Sequence, residues 1–130
     1  MDLNNVDIIS NSKDRCSNFD DLNINDNLKK GIYAYGWEKP SKIQEVGIKP
    51  VIDGKDCIIQ AQSGTGKTGT FCISCLSKVN PEINSCEILT ISPTREIAEQ
   101  SLNVMKELIA LLRIILIQRK LPFLLREQLP

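Results

Sequence analysis

Residues Ala61 to Thr68 read AQSGTGKT and stand between the apolar stretch Cys57-Ile58-Ile59 and a segment of helical character. Few short runs restrict a fold as tightly. A strand, a turn of small residues, Lys-Thr and then a helix is the order in which a chain wraps the phosphates of a nucleoside triphosphate. Small side chains let the backbone N–H groups of Ser63, Gly64, Thr65 and Gly66 turn inward around phosphate oxygens, and the following helix aims its positive end at the same point. Ala61 and Gln62 open the loop, Lys67 is placed to reach the β- and γ-phosphates, and the Thr68 hydroxyl to complete a Mg²⁺ shell. The pattern asks for Gly at the first position, where this chain has Ala61. The competing reading is a plain glycine-rich turn, which rarely carries Lys-Thr behind its last glycine.

A length of 130 residues suits one small domain with a core of its own, not two lobes. Net charge is zero, so contact with nucleic acid has to come from a local patch. Charge is unevenly spread: residues 1–28 hold two bases against six aspartates, and residues 109–130 hold four bases and one glutamate. Five cysteines at irregular spacing and no histidine argue against a zinc site. Cys72 and Cys75 do form a CxxC, but it falls on the expected helix after the loop and has no second pair, so buried thiols in a reducing compartment are expected. The acidic, polar N-terminus fits neither a secretory signal nor a transit peptide, which points to a soluble intracellular protein.

Residues 1–18 are rich in Asn, Asp and Ser and are expected to form a flexible arm. A helix is signalled from Asn25 or Asp26, with Leu28, Ile32 and Tyr35 on one face and Gly36 as its stop. Ser41 can cap a second helix carrying Ile43, Val46 and Val51 and closed by Gly54, which Pro50 should kink or shorten. A strand near 56–60, the loop, and a helix over about 67–78 follow. Pro81 and Asn84 mark a connection, 86–92 (CEILTIS) reads as a second buried strand, and Pro93-Thr94 precedes a helix from Arg95 with Ile97, Ser101, Val104, Met105 and Leu108 on one side. Strand, helix, strand, helix at this spacing predicts an α/β fold with parallel strands and a right-handed crossover.

Further motifs occur in a fixed order around the loop. They are Phe19-Asp20-Asp21-Leu22, then GIYAY over 31–35, GWEKPSKIQ over 36–44, AQSGTGKT, and Pro93-Thr94-Arg95-Glu96-Ile97-Ala98. Together, over about 18–104, they resemble the start of the DEAD-box RNA helicases, in their translation-initiation-factor branch. The helicase form of the loop reads A-x-x-G-x-G-K-T, which accounts for Ala61. The resemblance implies a partial RecA-like parallel sheet flanked by helices, ATP with Mg²⁺ as cofactors, and RNA gripped through its backbone. It also implies translation-initiation or exon-junction factors as partners, and residence in the cytoplasm, with the nucleus as the alternative. It divides the chain into a flexible arm (1–18), an adenine-recognition segment (19–54), a partial ATP-binding domain (55–108) and a divergent apolar and basic tail (109–130).

Gln44 lies three residues after Ser41, so the pair also fits a helix capping box, and spacing alone leaves the two readings level. The resemblance implies that Gln44 pairs with the adenine edge, where an amide offers a donor and an acceptor together, and that Phe19 packs on the base. Trp37 stands where the family usually has Phe, and packing is its expected role. Arg95 in the first turn of a helix opposes the macrodipole at a cost of roughly 0.3–1 kcal/mol, part of which Glu96 offsets. A cation there makes sense if Thr94, Arg95 and the helix N-terminus together receive a nucleic-acid phosphate, and the resemblance implies that Pro93, Thr94, Arg95 and Glu96 grip the RNA backbone; an ordinary exposed charge is the alternative.

After Asp56 the chain has no aspartate, and after Gly69 no glycine. The family's acidic box and later glycine-bearing RNA motifs are thus missing, and with them the Mg²⁺-holding carboxylate and the group that orients water. Resemblance fades from about Met105, where the text becomes LIALLRIILIQRKLPFLL. Arg113, Arg119 and Lys120 interrupt that run, so a membrane span is not expected. A helical extension over an open sheet is one reading, and a truncated or frame-shifted product is the favoured one. An inactive N-terminal helicase fragment is expected, with a non-catalytic nucleotide- or partner-binding piece as the alternative.

Overall fold

In the computed structural model, residues 10–80, 82–83 and 85–110 are described. They form a 3-10 turn at Phe19–Asp21 and four helices: α1 (Asp26–Ala34), α2 (Lys42–Ile52), α3 (Lys67–Ser77) and α4 (Arg95–Leu108). Each helix begins at a local signal. The Asn25 side chain accepts from Asn27 N at 2.8 Å and caps α1. Thr94 accepts from Ile97 N at 3.4 Å and caps α4. At the other end of α1, Gly36 has φ +94°, a left-handed turn that frees the chain to leave the helix.

The helices bury one another. α2 packs most extensively on α3, α3 on α4, and α1 on both α4 and α3. The core gathers Phe19, Leu28, Ile32, Ile48, Ile73 and Leu108, all fully buried. Gly31 sets how closely α1 and α4 approach: a Cβ there would lie 1.8 Å from the Leu108 carbonyl oxygen. Pro50 sits inside α2 and is buried, yet the helix runs on to Ile52. A proline in the last turn forfeits one hydrogen bond, and close packing on α3 holds the helix through it.

The expected strands are the main correction. Among the described residues no ladder forms, either over 56–60 or over 86–92. Ile58 is 100% exposed, Leu89 72% and Ile91 85%. Parallel strands need neighbours and cover on both faces, and a single crossover supplies neither. One side of the first segment does find cover. Ile59 packs on α2 where Gly47 lacks a side chain, since a Cβ at 47 would lie 2.9 Å from Ile59 Cδ1 and 2.8 Å from Thr70 Cγ2. The two segments therefore flank the helices without pairing.

Cys16 is buried, and its N–H donates to Glu45 O at 2.9 Å, so the packed chain begins within the segment read as a flexible arm. The connection residues Pro81 and Asn84, and positions 1–9 and 111–130 of the arm and tail, lie outside the described residues. No helix among the described residues is long and apolar enough to cross a membrane.

Candidate nucleotide site

The loop rises from the 55–61 segment and delivers its last glycine to the start of α3. Gly64 (φ +78°) and Gly66 (φ +104°) both adopt left-handed backbone, which any side chain would strain. Gly66 is the N-cap residue of α3. Thr65 Oγ1 donates to Gln62 O at 2.8 Å and braces the turn from within. No acceptor among the described residues takes the backbone N–H of Ser63, Gly64, Thr65, Gly66 or Lys67. Donors gathered at a helix N-terminus are the fixed half of an anion site. Lys67 is exposed, and its ammonium donates to the Ala61 carbonyl, folding back over the loop. Thr68, half-buried, follows it on the first turn of α3.

α2 approaches the loop from the side. Ser41 Oγ donates to Thr65 O at 2.8 Å, and Gln44 Nε2 donates to Gly66 O at 3.4 Å. Gln44 Oε1 accepts from Ser41 N at 2.8 Å, so the helix-capping role is realised. The amide is almost fully buried and keeps one N–H and one lone pair in reserve, so capping does not use up its recognition capacity. A groove of about 490 Å³ runs from Gly64 and Thr65 along Ser41, Val46 and Pro50 to the unpaired 55–61 segment. The Ser41–Thr65 contact was hidden in the sequence, because a serine before a helix already has a sufficient explanation as a cap.

Phe19 behaves otherwise than expected for a base-stacking residue. Its ring is fully buried in the core and meets Tyr33 edge-on, with centroids 6.3 Å apart. It offers no open face to a base, because burying so large an apolar ring is what stabilises a core this small.

Pro93, Thr94, Arg95 and Glu96 form the exposed N-terminal end of α4, except that Thr94 also caps it. Arg95 Nε pairs with Glu99 Oε1 at 2.9 Å, one turn on, so Glu99 and not Glu96 answers its charge. Both side chains are well exposed, which leaves the guanidinium free to exchange partners. Cys72 is fully buried, with its thiol pushed up to about 12 by burial, and its Sγ reaches Ser101 O at 3.9 Å. No group of three or more His, Cys, Asp or Glu that could hold a metal ion occurs among the described residues.

Glycine-braced loop, helix terminus and flanking amide are the arrangement of a phosphate-loop protein. The DEAD/DEAH box helicase pattern matches residues 41–122, more than half of the sequence, and the chain belongs to that family. The match runs past Val104, beyond the motifs that carry the resemblance in the sequence. The ATP-dependent RNA helicase eIF4A of Chaetomium globosum is 55% identical over 93 residues, covering 72% of this chain and 23% of the relative. Among solved structures, S. cerevisiae Dbp5 bound to RNA and ADP BeF3 superposes with a TM-score of 0.67 at 41% identity, over 74% of this chain and 25% of that one. A DEAD box protein from Methanococcus jannaschii gives 0.67 at 36% identity, over 72% and 26%. The likeness is to RecA-like helicase domains, although no sheet forms among the described residues. The chain spans about a quarter of the length of these proteins.

Proposed function

We propose that this chain is the ATP-binding front of an ATP-dependent RNA helicase of the initiation-factor-4A type. The observation that carries the reading is the set of unpaired backbone N–H groups from Ser63 to Lys67, with the Gln44 amide held against the same loop. Ala61 to Thr68 hold the phosphates, Lys67 leaves Ala61 for the β- and γ-phosphates, and Gln44 directs its spare donor and acceptor to adenine. The chemistry of the site suits Mg²⁺, which the Thr68 hydroxyl would hold from the protein side. Mg²⁺ would neutralise phosphate charge there.

Thr94 and Arg95, between Pro93 and Glu96, accept an RNA backbone phosphate at the exposed end of α4 without reading bases. Residues 19–54 serve base recognition and 55–108 phosphate binding. Initiation or exon-junction factors as partners of the larger protein, and the cytoplasm as its place of work, belong to the same proposal. The 130 residues themselves do not turn ATP over. Phosphoryl transfer rests on positioning and charge stabilisation, and no aspartate follows Asp56 to supply either. The bare Ile58, Leu89 and Ile91 favour a second reading, a non-catalytic nucleotide- or partner-binding piece.

Titration with a fluorescent ATP analogue and Mg²⁺ tests the first reading. Lys67→Ala should weaken binding roughly 10- to 100-fold, the loss expected for a hydrogen bond to a charged group. Equal binding by parent and variant would reduce the loop to a turn. ATP turnover by the parent that rises with RNA would refute the assignment of inactivity.

A further inference from the structure

Gly69 lies within α3 two residues past the lysine, where alanine would favour the helix by about 1 kcal/mol. Its backbone is not in the left-handed region, so conformational freedom does not explain it. Crowding does. A Cβ at position 69 would lie 2.5 Å from Gln44 Nε2 and 2.7 Å from Trp37 Cη2, with Trp37 Cζ3 at 3.1 Å. The outer ring of the indole and the end of the amide thus converge on the space that glycine leaves open. Trp37 has little room to retreat. It is packed against the core, its ring centroid is 4.5 Å from that of Tyr35, and its backbone is tied down by the main-chain N–H donating to Ile32 O at 3.2 Å.

We propose that Trp37 and Gly69 form a size-matched pair that positions the Gln44 amide, so that Trp37 is a positioning residue for base choice. The role rests on the adenine reading of Gln44 given above. With the ring filling one side of the gap, the amide keeps the rotamer in which Oε1 meets Ser41 N and Nε2 meets Gly66 O. A methyl group at position 69 displaces the ring, the amide, or both. A phenylalanine at 37 lacks the outer atoms Cη2 and Cζ3, so it gives back the volume that an alanine at 69 occupies.

The test compares the preference for ADP over GDP in the parent, Gly69→Ala, Trp37→Phe and the double variant, using fluorescent analogues of both nucleotides. Trp37 is the chain's single tryptophan, so its emission reports the ring's position directly. Gly69→Ala should cut the base preference roughly 3- to 10-fold, about the worth of one hydrogen bond, and shift Trp37 emission to the red with easier acrylamide quenching. Adding Trp37→Phe should restore the preference to within about twofold of the parent. If Gly69→Ala alone does not fold, the double variant still should, with its preference intact.

An unchanged preference or unchanged emission in Gly69→Ala overturns the positioning role. So does a double variant that fails to fold or folds without the preference. A parent that does not distinguish the bases overturns the adenine reading itself and this role with it, while the emission shift still judges the packing.

Discussion

The Ser41 hydroxyl donates to the Thr65 carbonyl over 2.8 Å, joining the start of α2 to the phosphate loop 24 residues later in the chain. The contact makes loop geometry depend on a helix that contributes nothing to the phosphate cradle. Ser41→Ala should cost about 1 kcal/mol of stability, the worth of one part-buried hydrogen bond. Amide exchange should quicken at Thr70, whose N–H donates to Gly66 O at the base of the loop, and stay unchanged at the far end of α2. Equal acceleration at both places would show that the variant loosens the whole fold.

Gly31 tolerates no side chain. A Cβ there would meet a backbone oxygen, Leu108 O, at 1.8 Å, and backbone on a packed helix has nowhere to go. Gly31→Ala should therefore destabilise by roughly 1–3 kcal/mol through forced separation of α1 and α4. Thermal melting checks this. Gly36→Ala makes a useful control, because its cost would come from φ +94° alone, with nothing within 4 Å of the new atom.

The buried thiols tie stability to alkaline pH. Burial raises Cys72 from 9.0 to about 12 and raises Cys16 and Cys75 in the same direction. For an acid whose folded-state pKa lies above its unfolded value, the stabilisation is full below the unfolded value and drains away as pH climbs toward the folded one. Melting temperature should fall between about pH 9 and about pH 12. Cys72→Ala should flatten that fall, and Cys57 and Cys86, both exposed, should react with thiol reagents long before Cys72.

Ile58, Leu89 and Ile91 should govern solubility. All three are large, apolar and bare, on segments with no ladder partner. Changing them together to serine should raise the concentration at which the chain stays monomeric by light scattering. Aggregation that persists in the triple variant would place the responsible surface elsewhere.

The helices were legible because their signals are local. Asn25, Ser41 and Thr94 each precede a helix by one residue, and α3 starts at the lysine that the loop pattern marks. The phosphate loop was legible for the same reason, since its glycines answer a backbone demand that acts within a few residues. The strands were not. Residues 86–92 have the composition of a buried strand, but a ladder requires partners that no local pattern can supply. Phe19 shows another limit: an aromatic suited to stacking on a base is equally suited to a core, and burial decided. Gly69 carried a readable sign that went unused, a glycine where the helix would favour alanine.

Lys67 holds the Ala61 carbonyl and so closes a ring within the loop. An arriving ligand therefore meets an incumbent. In the nucleotide site proposed above, binding becomes an exchange, in which the ammonium gives up a neutral oxygen of its own chain for an oxygen of the newcomer. A nucleoside gains nothing by that exchange, whereas a triphosphate offers oxygens bearing full charge. The loop thus sorts callers by charge before shape is consulted, and the backbone of Ala61 sets the threshold.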